Sequence, residues 1–405
     1  MTGIPDGAYV RAVREDPVRK GLLYAGTELG VYASIDDGAH WQPLQLNLPT
    51  VPVHDLAIKD NDLIAATHGR SFWILDDLSP LRQAADGIGT ESFHLFRPAQ
   101  AIRLHIPQQV ERRLPVGDNP PPGAVIDYVL AKKPAENEEI TLDVLSADGK
   151  LIRHLSNHKP KDAFEQPAEW TDREKPADEI PDEAGANRFA WDFRYDDPVK
   201  IPGAFYSDDG PRGPIVAPGH FQVRLTVGGH SQTAPLEVAL DPRLKGQLTV
   251  AEIEALRDLE LKTTADIELL HRTVNQLRDL RSRLETIGKW HGTSSPAKPL
   301  TEAAAALTAK LAPIEARLVQ VKMAASEDNL RYPNMLNEQY DTFAGTLDFG
   351  DFGPTEPQRQ VFDYLHGELG REVAKWQGIV AADVPAFDAL LKAHGAPALG
   401  AVQGQ

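Results

Sequence analysis

Residues 23–41 read LYAGTELGVYASIDDGAHW, and how this stretch is read decides the fold of the first part of the chain. It recurs once. Residues 63–77, LIAATHGRSFWILDD, align with residues 23–37 at a constant offset of 40 and without a gap. Leu23 falls on Leu63, Ala25 on Ala65, Thr27 on Thr67, Tyr32 on Phe72, Asp36 on Asp76 and Asp37 on Asp77. A repeat of about 40 residues is the length of one four-stranded propeller blade.

Period-2 patterning and β-branched or aromatic residues predict strands in each repeat. The first repeat gives Tyr9–Val13, Leu22–Ala25, Gly30–Ser34 and Trp41–Leu46; the second gives His54–Ile58, Leu63–Thr67 and Ser71–Leu75, with no evident fourth strand. Within the first repeat, Ser34-x-Asp36-x-Gly38-x-x-Trp41 has a structural reason for its spacing. Asp36 can accept amides of its own turn, Gly38 can take a positive φ, and Trp41 can fold back as a buried anchor. The motif therefore reads as a hairpin staple rather than as catalytic machinery. In a propeller it lies opposite the usual ligand face. The loops between second and third strands open on that face, here Thr27–Gly30 and Thr67–Arg70. Glu28, His68 and Arg70 are the best-placed polar residues on them, an acid, an imidazole and a guanidinium suited to a sugar or a carboxylate, with loop capping along a wet central channel as the plainer reading of the same three.

The pattern changes after residue 83. Short strands are expected at 93–96, 102–105, 124–130, 140–145, 151–155, 187–194, 221–227 and 236–240, with turns at Asp148-Gly149 and Gly228-Gly229. Their number and spacing predict a β-sandwich over 90–242, interrupted by Pro- and charge-rich loops at 156–185 and 198–218. Asp208 and Asp209 lack the alternating acidic pattern of a calcium loop, so no metal is expected. Asp143, Asp192 and Asp197 read as solvated. From Thr249, whose capping box with Glu252 opens a long helix, residues 247–395 show helical 3-4 seams: Ile267, Leu270, Val274, Leu277 and Leu284, then Ala304, Leu307, Leu311, Ile314, Leu318 and Val321. Helices are expected to about 288, at 301–326, after Tyr332-Pro333 and at 356–381, with a short piece at 385–394 and a disordered tail at 396–405. They predict an antiparallel helical bundle, with an interchain coiled coil as the competing arrangement. His271, Arg278 and Arg281 read as solvated.

The totals exclude several classes. A net charge of -17 over 405 residues argues against nucleic acid or an anionic membrane as partner. The absence of cysteine excludes disulfides and thiolate chemistry. No apolar run reaches the roughly 20 residues of a membrane span. The start, MTGIPDGAYVRAV, has no signal-peptide pattern, so the chain as written is expected to stay in the cytoplasm. There is no G-x-S-x-G, H-E-x-x-H or G-x-x-x-x-G-K-[ST], and no cofactor is implied.

The motif at Ser34–Trp41 has the form of an Asp-box, and residues 5–83, ending ATHGRSFWILDDLSPLRQ, resemble the last blades of bacterial BNR-repeat propeller proteins of the sortilin type, often labelled glycosyl hydrolases. The pair NRFAWDFR and APGHFQVRLTV resembles the Ig-like modules that follow such propellers, and YPNMLNEQYDTF with GPTEPQRQVFDYL resembles their helical tail. The resemblance implies an exported protein with a carbohydrate or protein ligand. A propeller needs roughly four to eight blades to close. With two blades, the chain is expected to be a C-terminal fragment, to start internally, or to be completed by a partner chain that supplies the others. The expected function is non-catalytic binding and assembly. The alternative is the C-terminal part of a BNR-type glycoside hydrolase whose active site needs more blades.

Overall fold

The 40-residue repeat folds as two antiparallel meanders. A computed structural model describes residues 2–88, 91–104, 117, 119–158, 179–204, 206, 210–291 and 298–400. In the first meander β1 (Val10–Glu15), β2 (Leu23–Thr27), β3 (Gly30–Ser34) and β4 (Gln42–Pro43) pair in chain order. In the second, β5 (Val53–Lys59), β6 (Asp62–Thr67) and β7 (Phe72–Leu75) do the same. The strand expected at 41–46 shrinks to two residues. Pro43 has no N–H to donate to a ladder, and Leu46 turns the chain away at φ 44°. Leu22, Tyr24 and Val31 of the first repeat pack with Val53, Leu56, Leu63 and Ala65 of the second in one core, which Leu78 joins. After β7 the chain continues into helix α1 (Ser79–Ala84).

Two further sheets complete the β part. β8 (Phe93–Leu95), β10 (Ala124–Leu130) and β13 (Gly185–Trp191) form one, in the order β13-β10-β8. β9 (Ala101–Arg103), β11 (Ile140–Ser146), β12 (Leu151–Ser156), β14 (Gly219–Val227) and β15 (His230–Leu240) form the other, in the order β12-β11-β14-β15-β9. All neighbours are antiparallel except β15 and β9. Trp191 of one sheet meets Phe221 of the other edge-on at 6.0 Å, an arrangement that aromatic quadrupoles favour. Asp143, expected in solvent, is 6 % exposed because Arg224 and His154 on the two flanking strands both bond it, at 2.7 Å each.

The chain divides into two compact units. The first holds the described residues up to 158, 179–192 and 219–241; the second holds 193–218 and 242–400. Phe193, expected to continue the strand of Trp191, turns out of it at φ 65° and begins the second unit.

The second unit is organised on α2 (Val250–His291), whose 42 residues extend about 63 Å at 1.5 Å per residue. No single later helix is that long. α3 (Lys298–Leu318) and α4 (Leu336–Leu347) line α2 in succession, and α5 (Glu356–Gly378), a π-helical segment (Ile379–Asp383) and α6 (Val384–Ala393) run back as a continuous rod. Side-chain bonds fix the directions. Asp266 and His271 meet Tyr340 and Asn337, so α4 opposes α2. Asp266 and Gln276 meet His366 and Trp376, so α5 runs with α2. Arg317 and Lys310 meet Glu368 and Asp383, so α3 opposes α5. The predicted seams from Ile267 to Leu284 and from Ala304 to Leu318 are buried. Val321 is not, at 51 % exposure: α3 ends at Leu318 because the Gln320 amide donates to Glu338 at the start of α4. Residues 193–204 lie on this unit as a strap, with Ile201 fully buried. His271, expected in solvent, is 1 % exposed beneath it, and Arg278 and Arg281 both bond the buried Glu315. Leu399 is buried in the same core, its amide on Asp388 at 2.7 Å. Residues 159–178, Asp208 and Asp209, and 401–405 lie outside the described residues.

Candidate functional site

Both meanders carry the same irregularity at the same end. In the first, Val10 opposes Thr27 and Ala12 opposes Gly26, so Arg11 is the extra residue of a β-bulge. In the second, Val53 opposes Thr67 and Asp55 opposes Ala66, so His54 is the extra residue. A bulge re-aims the side chain it carries, and bulges collect beside functional sites for that reason. Each bulge residue here faces the following loop. Arg11 forms an ion pair with Glu28. His54 lies against His68, with ring centroids 5.0 Å apart and planes 30° from parallel. Glu28 and His68 correspond at the repeat offset of 40, and each loop is held in the same manner. The Glu28 amide donates to Tyr9 O at 3.0 Å and the His68 amide to Pro52 O at 2.8 Å. The Thr27 hydroxyl donates to Gly30 O at 3.0 Å and the Thr67 hydroxyl to Ser71 O at 2.6 Å.

The two bulged ends adjoin. A Cβ built on Gly26 would stand 3.0 Å from the backbone oxygen of Val53 and 2.9 Å from its Cγ1, so the β2 backbone lies close against β5 there. Arg14 also bridges from β1 to Asp55 on β5 at 2.5 Å. Arg70 is exposed and has no side-chain partner among the described residues; its carbonyl accepts the Trp73 indole N–H at 3.0 Å. Comparison of the chain with family models, curated proteins and solved structures finds no match.

Of the three residues predicted for a ligand face, Glu28 and His68 thus occupy equivalent positions at one end of the paired meanders, and Arg70 extends the second loop. Arg11 and His54 escape sequence reasoning. They sit in strands whose offset between repeats is 43 rather than 40, so the alignment that pairs Glu28 with His68 does not reach them. A shared apolar-polar break at Val10-Arg11-Ala12 and Val53-His54-Asp55 is the signal that could have found them.

The hairpin Ser34–Trp41 closes on its own side chains. The Ser34 hydroxyl donates to Asp36 at 2.8 Å and accepts the Gly38 amide at 3.0 Å. Asp36 accepts the His40 amide at 2.8 Å and meets the His40 ring at 2.6 Å. Asp37 and Gly38 take φ 58° and 84°, and Trp41 is 7 % exposed with its N–H on Gly38 O. The His40 amide, the His40 ring and the Ser34 hydroxyl together hold the Asp36 carboxyl down at about 2. Every polar group of the motif is directed into its own turn, which is the geometry of a staple.

The helical unit carries an open groove of about 720 Å³ between α3 and the α5–π rod, floored by Pro313, Ile314, Gly378 and Ile379. Its cations face carboxylates: Lys310 on Asp383 at 2.7 Å, Arg317 on Glu368 at 2.8 Å and Lys375 on Glu372 at 2.7 Å. A charged ligand would have to displace one of these pairs. Among the described residues no group of three or more His, Asp or Glu could hold a metal ion, and no helix is long and apolar enough to cross a membrane.

Proposed function

We propose that this chain is the non-catalytic binding and assembly portion of a propeller-type repeat protein, and that its ligand seats at the bulged end of the two meanders. The observation that carries this reading is the duplicated bulge, which directs Arg11 and His54 toward the equivalent loop residues Glu28 and His68. In this reading the meanders are two blades of the BNR, sortilin-like type, and the two sheets after them are an Ig-like sandwich. Arg70, exposed and without a side-chain partner among the described residues, is the cation best placed to take a carboxylate on a sugar or on a protein ligand. Binding is favoured over glycoside hydrolysis because a hydrolase needs two carboxylates poised across a cleft. The carboxylates at this end, Glu28 and Asp55, are each held by an arginine.

The outer face of the second meander is where a chain carrying further blades would pack. Phe72 and Ile74 of its edge strand β7 are 72 % and 56 % exposed there.

A panel of neutral and acidic glycans and of acidic peptides, tested for binding to the full chain, checks the reading. At least one carboxylate-bearing ligand should bind, and Arg70→Ala and His68→Ala should each weaken it by about 1–2 kcal/mol, the scale of a charge-assisted hydrogen bond. No binding across the panel, or unchanged affinity in both variants, would overturn it.

A further inference from the structure

The two bulge pairs occupy equivalent places but differ in chemistry. In the first repeat the bulge residue is a cation and the loop residue an anion, and Arg11 and Glu28 close on each other. That contact shows that side chains from these two positions converge to bonding distance. In the second repeat both residues are imidazoles, each a Lewis base when unprotonated, and neither ring has a hydrogen-bond or ion-pair partner among the described residues.

We propose that His54 and His68 form a two-imidazole site for a late first-row divalent metal ion: zinc, nickel or copper. Imidazole suits these ions. A metal–nitrogen bond of about 2.0–2.1 Å places the ion roughly 3.2 Å from a ring centroid, so two imidazoles on one near-tetrahedral ion have centroids about 5 Å apart. The observed separation is 5.0 Å. The backbone beneath is fixed before any ion arrives: His54 sits in the β5 bulge, and the His68 amide is tied to Pro52 O at 2.8 Å. Both side chains are exposed, so the ion and its remaining ligands have access from solvent. A chain of net charge -17 draws cations toward its surface. With no third protein ligand among the described residues, the site is open and exchangeable, its other positions held by water or by an anion that Arg70, two residues along the loop, can pair.

This inference shares a face with the proposed ligand site but does not rest on it, because metal binding is read with no organic ligand present. Zinc is titrated into the full chain by calorimetry, with nickel and copper as further probes, and compared with His54→Gln, His68→Gln and His40→Gln. The last removes the other exposed histidine of the meanders, whose partner is Asp36. Closing a chelate makes the second bond intramolecular, so loss of either ring should weaken one site roughly 100-fold. His40→Gln should leave it unchanged. Both site residues are exposed, so their variants should melt as the parent does. Wild-type stoichiometry and affinity in His54→Gln and His68→Gln, or no binding of any of the three ions, would overturn the proposal.

Discussion

Arg82 Nε lies 3.0 Å from both carboxylate oxygens of Asp16 and joins helix α1 to the turn after β1. The Asp16 side chain is wholly buried and that of Arg82 is 11 % exposed. Removing the guanidinium leaves a buried carboxylate without its cation, which costs about 3–5 kcal/mol. Arg82→Met should therefore lower the urea midpoint of the β unit strongly. Arg82→Met in an Asp16→Asn background should cost clearly less, because the two residues are coupled. The pair also carries a pH signature. Burial pushes the Asp16 carboxyl up, but the Arg19 and Val18 amides and Arg82 outweigh it and hold the group below the ordinary carboxylate value. The unfolded chain therefore takes up this proton at higher pH than the folded one. The stabilisation is complete above the unfolded value of about 3.9 and is lost as pH falls through the folded one. Urea melts on both sides of about pH 4 should show this acid loss in the parent and a smaller one in Asp16→Asn.

The staple at Ser34–Trp41 predicts two separate readouts. Gly38 stands at φ 84°, where an L side chain is strained, so Gly38→Ala should cost about 1–3 kcal/mol in thermal or urea unfolding. Asp36 should titrate at about 2 when its carboxyl carbon is followed by NMR, held down first by the His40 amide, then by the His40 ring and the Ser34 hydroxyl. Ser34→Ala should move that midpoint upward. A midpoint at the ordinary carboxylate value in the parent would show that the hairpin bonds do not persist in solution.

The β strands were legible because alternation and turn chemistry are local: β2, β3, β6 and β7 fall within a residue or two of their expected places. The helical seams were legible for the same reason. What sequence could not supply was the identity of partners across long separations. His271 is unremarkable in sequence, yet Val199, 72 residues away, closes over it. Asp143 reads as a surface acid until Arg224, 81 residues on, is brought beside it. The candidate site was half legible: Glu28 and His68 stand out because loops advertise polar residues, whereas a bulge that re-aims Arg11 and His54 appears only when strand registers are known.

His271 couples the strap to pH. Its Nδ1 meets the Val199 carbonyl, its Nε2 lies 2.7 Å from Asn337, and the Tyr206 ring is 6.0 Å away. The strap is further tied by the Val199 amide to Glu268 at 2.6 Å and by Asn275 and Arg278 to the carbonyls of Lys200 and Pro202. Burial pushes His271 below the ordinary imidazole value; the Val199 and Asn337 bonds and nearby Glu268 offset this only in part, and Lys200 adds to it. The unfolded imidazole thus binds its proton at higher pH than the folded one. Stability is full above the unfolded value of about 6.5 and declines as pH falls through it toward the folded value. Hydrogen exchange at residues 199–204, corrected for intrinsic rates, should be faster at about pH 5.5 than at about pH 7.5. His271→Gln should lower protection at both pH values and abolish the difference. Equal protection in the parent at both would remove His271 as the source of coupling.

Gly26 tests whether the two meanders act as one body. It is the penultimate residue of β2, and a Cβ there would stand 2.9 Å from Val53 Cγ1 and 3.0 Å from Val53 O. Val53 is fully buried and begins β5 beside the bulge, so it has little room to retreat. Gly26→Ala should push the second repeat away from the first and cost about 1–3 kcal/mol, as overpacking of a filled core does. Gly69→Ala is the control for a general effect of losing glycine. It lies in the exposed loop at φ 84°, with nothing within 4 Å of an added Cβ, so its strain is local and leaves the inter-repeat core intact. The discriminating measurement is amide exchange along β5. Gly26→Ala should raise exchange from Val53 to Leu56, while Gly69→Ala should confine its effect to residues 67–71. If Gly26→Ala left β5 protected and the melt unchanged, the close approach that sets the two bulged ends side by side would not exist in solution.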